Sequence, residues 1–255
     1  MKLEFAGQTD VGRKRGHNED NFLILADYNL FLVADGMGGH SAGEVASLMA
    51  VESVAEFFKD TAEDQDVTWP FKQDKGLSWE ENRLSTGVKL ANLRIHESAA
   101  SNSERRGMGT TLVCTYFSRK NVIIGHVGDS RVYRIRDRKI EMLTEDHSLL
   151  NDYLKMKELT QEEIDNFPHK NVIVRALGMK ESVQVDVITD SPRIDDIYLL
   201  CSDGLSGMIE DPEVLQCVLD ANGDLKDACQ RLIDAANANG GVDNITCALI
   251  KVLQV

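Results

Sequence analysis

Residues 31–40, with the sequence FLVADGMGGH, constrain the fold of this chain most, because an apolar run ends there abruptly in a carboxylate and three glycines. An unbroken apolar run is typical of a buried strand, and the glycines after it let the backbone turn tightly and approach a bound group. Asp35 is therefore predicted to end a strand, where its carboxylate and the freed carbonyl of Gly36 suit a hard cation. Taken alone, the pattern favours an ordinary strand followed by an Asp-Gly turn.

The same arrangement returns at three further places in the sequence. Residues 198–204 (YLLCSDG) are an apolar run closed by Asp-Gly, residues 240–244 (GGVDN) put an aspartate before a predicted strand, and residues 122–130 (VIIGHVGDS) end in Asp129 and a serine. Unpaired carboxylates at the ends of buried strands would repel one another if they gathered, because burial of an unpaired charge is costly. If they do gather, a divalent cation explains the arrangement most simply.

Charge and composition exclude several classes of function. The 255 residues include 42 acidic and 28 basic ones, a net charge of -14, which is the wrong sign for binding along a nucleic-acid backbone. An anionic substrate would also need local cations. No stretch approaches the roughly 18 apolar residues of a membrane span, and the N-terminus lacks the apolar region of a signal peptide, so we expect no membrane association. Five cysteines without a CxxC pair indicate reduced thiols and a cytoplasmic protein.

Strands and helices are predicted in long runs. The predicted strands cover residues 3–8, 21–25, 31–35, 112–117, 121–127, 131–136, 139–143, 171–177, 183–189, 197–201 and 245–252, and the predicted helices cover residues 45–58, 84–101, 212–219 and 225–236. Such runs argue against a doubly wound parallel sheet and favour antiparallel sheets covered by helices. Without a convincing linker, we expect a single domain over residues 1–255.

Two segments depart from this pattern. Residues 61–78 read as a surface excursion, in which Trp69 is expected to anchor the loop rather than to bind a ligand. Residues 144–180 contain few apolar residues and are predicted to form a mobile flap or subdomain, with helical spacing up to residue 167 and a candidate helix start at residues 160–163.

A capping-box pattern at residues 41–44 indicates where the first long helix begins.

Seven short motifs together resemble the protein phosphatase 2C family, the metal-dependent serine/threonine phosphatases. Each motif alone is weak, but the set is specific, because it follows the family's order and spans nearly the whole chain. The motifs are RxxNED at 15–20, VADGMGGH at 33–40, MGTT at 108–111, GDSR at 128–131, LTxDHS at 143–148, CSDGL at 201–205 and DNIT at 243–246.

The resemblance implies an α+β fold, a four-layer α-β-β-α sandwich of two antiparallel sheets flanked by helices, with the metals at one end and the flap beside them. It implies that Asp35 bridges two ions, with the Gly36 carbonyl on one of them. Asp203 and Asp243 would complete the other. Similar members of the family hold a third, weaker ion near Asp129 and Asp203.

The resemblance also implies roles for residues around the metals. Arg15 would bind the substrate phosphate, while Glu19 and Asp20 would act through metal-bound waters or by ordering the site. The chain departs from animal members of the family, in which a histidine proposed as general acid directly follows Asp-Gly, because it has Met37 there. We do not transfer that role to His40, and we expect a metal-bound water to protonate the leaving group.

Every proposed ligand is an oxygen, and no histidine or cysteine pattern suits zinc, so we expect Mg²⁺ or Mn²⁺, with two ions in the core site and room for a third. Two such ions would turn a bridging water into an attacking hydroxide and neutralise charge on the phosphoryl group, so no side chain need act as nucleophile. Cys114 and Cys201 are accordingly interpreted as core residues. His126 and His147 are interpreted as structural histidines with satisfied hydrogen bonds.

We therefore predict hydrolysis of phosphoserine and phosphothreonine on proteins, by a cytoplasmic monomer that opposes a bacterial serine/threonine kinase, and we expect the flap at residues 144–180 to select substrates. Two alternatives stay open. One is a phosphatase dedicated to a single regulator, such as an anti-sigma-factor antagonist. The other is a catalytically dead binding or scaffold module, against which the intact metal and phosphate residues argue.

Overall fold

The structure, a computed structural model, describes residues 1–38, 42–62, 68–156, 160, 163, 167 and 172–255. Its strands are β1 (Lys2–Asp10), β2 (Asp20–Leu25), β3 (Leu30–Met37), β4 (Gly109–Thr110), β5 (Leu112–Phe117), β6 (Val122–Val127), β7 (Arg131–Arg136), β8 (Lys139–Met142), β9 (Asp186–Asp190), β10 (Ile197–Cys201) and β11 (Ile245–Gln254). Its helices are α1 (Ala42–Asp60), α2 (Trp79–Ser101), α3 (Leu149–Met156), α4 (Asp203–Ser206), α5 (Asp211–Asp220) and α6 (Leu225–Ala238). Among these helices, none is both long enough and apolar enough to cross a membrane.

Two antiparallel sheets form the centre of the molecule. The first has the strand order β1-β11-β10-β7-β8, and the second has the order β2-β3-β5-β6-β9, with β4 paired to β3. Their facing surfaces meet in one apolar cluster, to which β3 contributes Phe31 and Val33 and β10 contributes Tyr198 and Leu200. The two sheets therefore pack face to face as a sandwich.

Helices cover the outer face of each sheet. Leu32 of β3 packs with Val54 of α1 in one cluster, and Val214 of α5 packs with Leu232 of α6 in another cluster on the first sheet. Because β3 is buried on both faces, its run at residues 30–34 is apolar without alternation. These layers confirm the expected four-layer α-β-β-α sandwich.

The second helix, α2, begins earlier than its apolar stripe predicts. Ser78 caps it, since the Ser78 hydroxyl accepts the Glu81 N–H at 3.2 Å while the Glu81 carboxylate accepts the Ser78 N–H at 2.7 Å. This reciprocal pair is a capping box, and the first turn of the helix is polar, so the apolar pattern does not show where the helix starts.

The capping box predicted at residues 41–44 lies partly outside the described residues, although α1 covers the stretch predicted to be helical.

The segment after α1 is anchored by an aromatic contact. The ring centroid of Trp69 lies 6.2 Å from that of Phe57 in α1 and 5.8 Å from that of Trp79 in α2. Residues 68–78 form neither helix nor strand. The interpretation of Trp69 as an anchor is thereby confirmed.

The segment 144–180 differs from the prediction in its strand. Over the described residues 172–177 the expected strand is replaced by two isolated bridges, one to Ser148 and one to Thr110. Ser148 lies in the loop before α3 and Thr110 in the two-residue β4, so neither offers a partner long enough for a ladder. The predicted strand is therefore wrong, and the next one begins at Asp186 rather than at residue 183.

Helical spacing in the same segment corresponds to α3. For the candidate helix start, the Thr160 N–H donates to the Glu163 carboxylate at 2.8 Å and the Glu163 N–H donates to the Thr160 hydroxyl at 3.3 Å. This exchange is the pattern of a capping box, and residues 161–162 between them lie outside the described residues. The mobility of the segment stays a prediction.

Candidate active site

Aspartates from both sheets meet at one end of the sandwich because of strand direction and register. In the second sheet Asp20 begins β2 and lies directly opposite Asp35 near the end of β3. In the first sheet β10 and β11 are antiparallel neighbours, so the C-terminal end of β10 lies beside the N-terminal end of β11. Asp203 lies two residues after β10, and Asp243 lies two residues before β11.

These carboxylates repel one another, and their pKa values are raised. Burial raises the pKa of Asp35 well above its ordinary range, and the charges of Asp20 and Asp203 raise it further. Burial, with the charge of Asp203 nearby, raises the pKa of Asp20 and that of Asp129 each to about 7. Burial and the charge of Asp243 raise the pKa of Asp203. Such a group of like charges stays ionised together only if cationic charge balances it.

Asp20 is held by two hydroxyl groups that sequence reasoning did not single out. Ser202 Oγ and Thr246 Oγ1 each donate a hydrogen bond of 2.7 Å to Asp20 Oδ2. The other oxygen, Oδ1, is buried and has no partner among the described residues, and the same is true of Asp129 Oδ1. Buried carboxylate oxygens without a partner are rare, and they fit a hard cation or a water bound to one.

Asp243 differs from the other aspartates because a side chain of opposite charge already pairs with it. Arg15 Nη2 lies 2.6 Å from Asp243 Oδ2, and the Arg15 side chain is 51% exposed. In the described ranges, no three acidic, histidine or cysteine side chains surround a common point as metal ligands. The carboxylate oxygens at this end are of the type that hard divalent cations prefer.

The loop that carries Arg15 is clamped by Asn244, a buried residue that sequence reasoning also missed. Asn244 Oδ1 accepts the Glu19 N–H at 2.8 Å. Its Nδ2 donates to the backbone carbonyl groups of Val11 and His17, each at 3.0 Å. Because Asn244 directly follows Asp243, these bonds tie the Arg15 loop to the turn that carries Asp243.

Gly36 lies where three backbone segments approach closely. A Cβ atom at this position would lie 2.2 Å from the Gly43 carbonyl oxygen in α1 and 2.5 Å from the Glu19 carbonyl oxygen. The Gly36 N–H also donates to Glu19 O at 3.2 Å. Only glycine fits such a contact, which brings Glu19 and the beginning of α1 to the edge of the aspartate cluster.

A cavity of about 280 Å³ opens beside Asp129 and Asp203. Its wall includes Arg131, which donates to Asp146 through Nε at 3.0 Å and Nη2 at 2.8 Å, and Asn151 of α3. The predicted flap therefore borders this end of the sandwich through α3. A larger groove of about 590 Å³ lies between α1 and α2, and none of the clustered aspartates lines it.

The two histidines near Asp129 differ in their hydrogen bonds. His147 Nδ1 accepts the Gly128 N–H at 3.0 Å, and its Nε2 lies 3.1 Å from Asp186 Oδ2, so its bonds are satisfied as expected. His126 stacks on His147 with ring centroids 4.5 Å apart, and neither of its ring nitrogens has a partner among the described residues. The expectation of satisfied hydrogen bonds is therefore wrong for His126. Burial lowers its pKa to about 3, which keeps the ring neutral.

The cysteines near the site are core residues, as expected. Cys114 and Cys201 are fully buried, and burial raises the pKa of each thiol to about 12. Since the thiolate is the nucleophilic form, neither side chain is suited to attack a substrate.

We expect the metal-free protein to lose stability as the pH rises from about 4 to above 7. Asp20 and Asp129 have folded-state pKa values of about 7, whereas an unfolded aspartate titrates near about 3.9. Between these values the folded state binds more protons than the unfolded state, so the stability present at low pH is lost as the pH passes through the folded-state pKa. Denaturant titrations in chelator at pH 5 and pH 8 check this, and a larger free energy of unfolding at pH 8 would contradict it.

Comparison with known proteins places the chain in a family. A family model for protein phosphatase 2C matches residues 11–253. The serine/threonine phosphatase stp of Listeria welshimeri is 38% identical over 254 residues, which cover 98% of this chain and 96% of that protein. Protein phosphatase PhpP of Streptococcus pneumoniae is 36% identical over 98% of each chain. The solved catalytic domain of serine threonine protein phosphatase PstP, in complex with 2 manganese ions, has a TM-score of 0.82 at 31% identity over 99% of each chain. The chain therefore belongs to the protein phosphatase 2C family and is a bacterial-type serine/threonine phosphatase.

Proposed function

We propose that the protein releases phosphate from phosphoserine and phosphothreonine residues of other proteins with two divalent cations, Mn²⁺ or Mg²⁺. The observation that carries this proposal is the gathering of buried and partly buried aspartates at one end of the sandwich, where their mutual repulsion calls for cationic charge. The family match and the manganese complex of PstP support it.

The proposed ligands are the oxygen donors that converge at this end. Asp35, the Gly36 carbonyl, Asp203 and Asp243 would hold the two core cations, and Asp129 with Asp203 would hold a third beside the cavity. When bound, such cations lower the pKa of a water molecule and neutralise charge on the phosphoryl group, which favours in-line displacement of the ester oxygen by water. All these donors are hard oxygens, which is why Mn²⁺ and Mg²⁺ are the proposed ions.

Side chains of this protein orient the substrate and the site. The Arg15 guanidinium is half exposed and planar, so it can donate to two phosphate oxygens at once, and a bound phosphate would compete with Asp243 for it. Asp20 is fixed by its two hydroxyl donors, and Glu19 directly precedes it and lies beside Gly43 of α1. We propose that both order the neighbouring carboxylates. In the overall reaction the bond from phosphorus to the ester oxygen breaks, a bond to the water oxygen forms, and the ester oxygen takes up a proton. Met37 carries no transferable proton, and we propose that this proton comes from water.

Calorimetric titration and a phosphate-release assay test the proposal together. We expect Mn²⁺ to bind the folded protein with at least two ions per chain, and we expect phosphate release from a phosphothreonine peptide to require the ion and to stop in chelator. A folded protein that neither binds Mn²⁺ nor releases phosphate would overturn the proposal and favour a scaffold module.

The proposal for the wider setting is by analogy with the family. We propose that the protein acts in the cytoplasm as a monomer, against a bacterial serine/threonine kinase, and that residues 1–255 form a single phosphatase domain, which the family match over residues 11–253 supports. The flap at residues 144–180 is proposed to select substrates, because α3 borders the cavity beside the aspartates. If exchange of this segment with that of a relative leaves the ranking of phosphoprotein substrates unchanged, the proposal for the flap fails.

Replacing Asn244 with alanine is expected to raise the KM for a phosphothreonine peptide about tenfold while lowering kcat less. The variant removes the clamp on the loop that carries Arg15, and misplacement of a binding group weakens substrate positioning. Steady-state kinetics check this, with Asn239→Ala at the exposed end of α6 as the matched control. An unchanged KM in Asn244→Ala would contradict the role of the clamp.

A further inference from the structure

The loop between β1 and β2 carries an unusual concentration of positive charge. Arg13, Lys14 and Arg15 are consecutive in a chain whose net charge is -14. We propose that Arg13 and Lys14 form a docking surface for an anionic side chain, a carboxylate or a second phosphate, that flanks the phosphorylated residue of the substrate. This inference rests on the proposed function and names the class of phosphoprotein segment that the same site prefers.

Arg13 and Lys14 are available to a partner. Both side chains are exposed, and neither makes an ion pair or a side-chain hydrogen bond with any residue that the structure describes. Arg15, by contrast, is paired with Asp243 at 2.6 Å. Two free cations therefore stand immediately before the residue proposed to bind the phosphate.

The loop backbone is fixed against the turn that carries Asp243. The Arg13 N–H donates to Gly241 O at 2.7 Å, and the Gly12 N–H donates to Asp10 Oδ1 at 2.8 Å. A Cβ atom on Gly12, which has a φ of +79°, would lie 2.1 Å from the Asp243 carbonyl oxygen, so only glycine permits this contact. Because the backbone is already ordered, a substrate that binds Arg13 and Lys14 orders only their side chains.

The charge of the surface determines which partner it fits. Most of the protein surface repels anionic segments, since acidic residues outnumber basic ones by 42 to 28. Arg13 and Lys14 add two exposed positive charges beside Arg15, so a flanking carboxylate or phosphate is attracted there and a flanking lysine is repelled. An exposed ion pair of this kind raises kcat/KM by about twofold to fivefold, and the gain falls as salt screens it.

Matched phosphothreonine peptides test the inference. One peptide has alanine at the two positions on each side of the phosphothreonine, a second has glutamate there, a third has a second phosphothreonine, and a fourth has lysine. At low salt we expect kcat/KM for the glutamate and doubly phosphorylated peptides to exceed that for the alanine peptide by about twofold to fivefold. We expect the lysine peptide to be the poorest. A gain with only one of the two anionic peptides identifies which anion the surface takes.

A double variant and its matched control assign the preference to this loop. Arg13→Ala with Lys14→Ala is expected to remove most of the preference, measured as the ratio of kcat/KM between the glutamate and alanine peptides. Arg119→Ala with Lys120→Ala removes the same Arg-Lys pair from the exposed turn between β5 and β6, at the opposite end of the sheet, and should leave that ratio unchanged. Melting temperatures of both variants check that they are folded.

The outcomes separate this inference from the proposed function. If the wild-type protein hydrolyses all four peptides at equal kcat/KM, or if the double variant keeps the preference, the docking surface is overturned while the phosphatase function stands. If the wild-type protein hydrolyses none of them with Mn²⁺ present, the proposed function fails and this inference fails with it.

Discussion

Asp35→Asn is expected to reduce cation-dependent phosphate release by at least about 10³-fold and, in the same protein, to raise the melting temperature of the metal-free fold by about 5 °C. The first effect follows from the proposed bridging position of Asp35 between two cations. The second follows from burial beside Asp20 and Asp203, which raises the pKa of Asp35 and makes its charge unfavourable without a cation. The Asp35 carboxyl group shares a hydrogen bond with the Asp203 carboxyl group, and the side-chain N–H of an asparagine can donate to Asp203 in its place.

The two effects distinguish a functional role from a structural one. A residue that only supports the fold would lower both activity and melting temperature when replaced, because most destabilising substitutions act on both. Phosphate release with saturating Mn²⁺ and thermal unfolding in chelator measure them separately. Asp203→Asn should behave in the same way, and Asp60→Asn at the exposed end of α1 is the matched control, with a change in melting temperature within about 2 °C. A lower melting temperature in Asp35→Asn, with activity retained, would contradict the proposed cation site.

Apolar patterning predicts most of the fold because the central strands are short runs of buried apolar residues. β5 was expected at residues 112–117 and lies there, and β10 likewise occupies residues 197–201. The prediction of a strand at residues 171–177 was wrong because a strand also needs a neighbouring strand of suitable length. The sequence shows the apolar residues of the segment but not its neighbours. The start of α2 was missed for a different reason, since its first turn is held by a capping box rather than by apolar contacts.

The candidate site could be predicted only in part. The aspartates follow apolar runs and are visible in the sequence, whereas the residues that hold them in place act across great distances along the chain. Thr246 donates to Asp20 over 226 positions, and Arg15 pairs with Asp243 over 228. The role of Asn244 was missed for the same reason, since its partners are Val11, His17 and Glu19 near the other end of the chain. Its position directly after the candidate ligand Asp243 was the one sign of it in the sequence. Side-chain partners of this kind depend on the packing of one sheet against the other, which local sequence does not determine.

Gly36→Ala is expected to cost about 3 kcal/mol of folding free energy, a loss of about 6 to 12 °C in melting temperature, and to abolish most of the activity. The added Cβ atom would lie 2.2 Å from the Gly43 carbonyl oxygen and 2.5 Å from the Glu19 carbonyl oxygen. Both atoms belong to the backbone, so no flexible side chain can move aside to relieve the contact. The strain would separate β3 from the start of α1 and displace the carbonyl proposed as a cation ligand.

Gly16→Ala is the matched control, because a Cβ atom there would have no neighbour within 4 Å and the position lies in the loop that carries Arg15. We expect it to change the melting temperature by no more than about 2 °C and to leave the KM for Mn²⁺ unchanged. Thermal unfolding in chelator and a Mn²⁺ titration of phosphate release measure both variants. If Gly36→Ala lowers the melting temperature yet keeps the affinity for Mn²⁺, the close backbone contact serves the fold alone. In that case the Gly36 carbonyl is not a cation ligand, and Asp35, Asp203 and Asp243 must hold the two ions with water in its place.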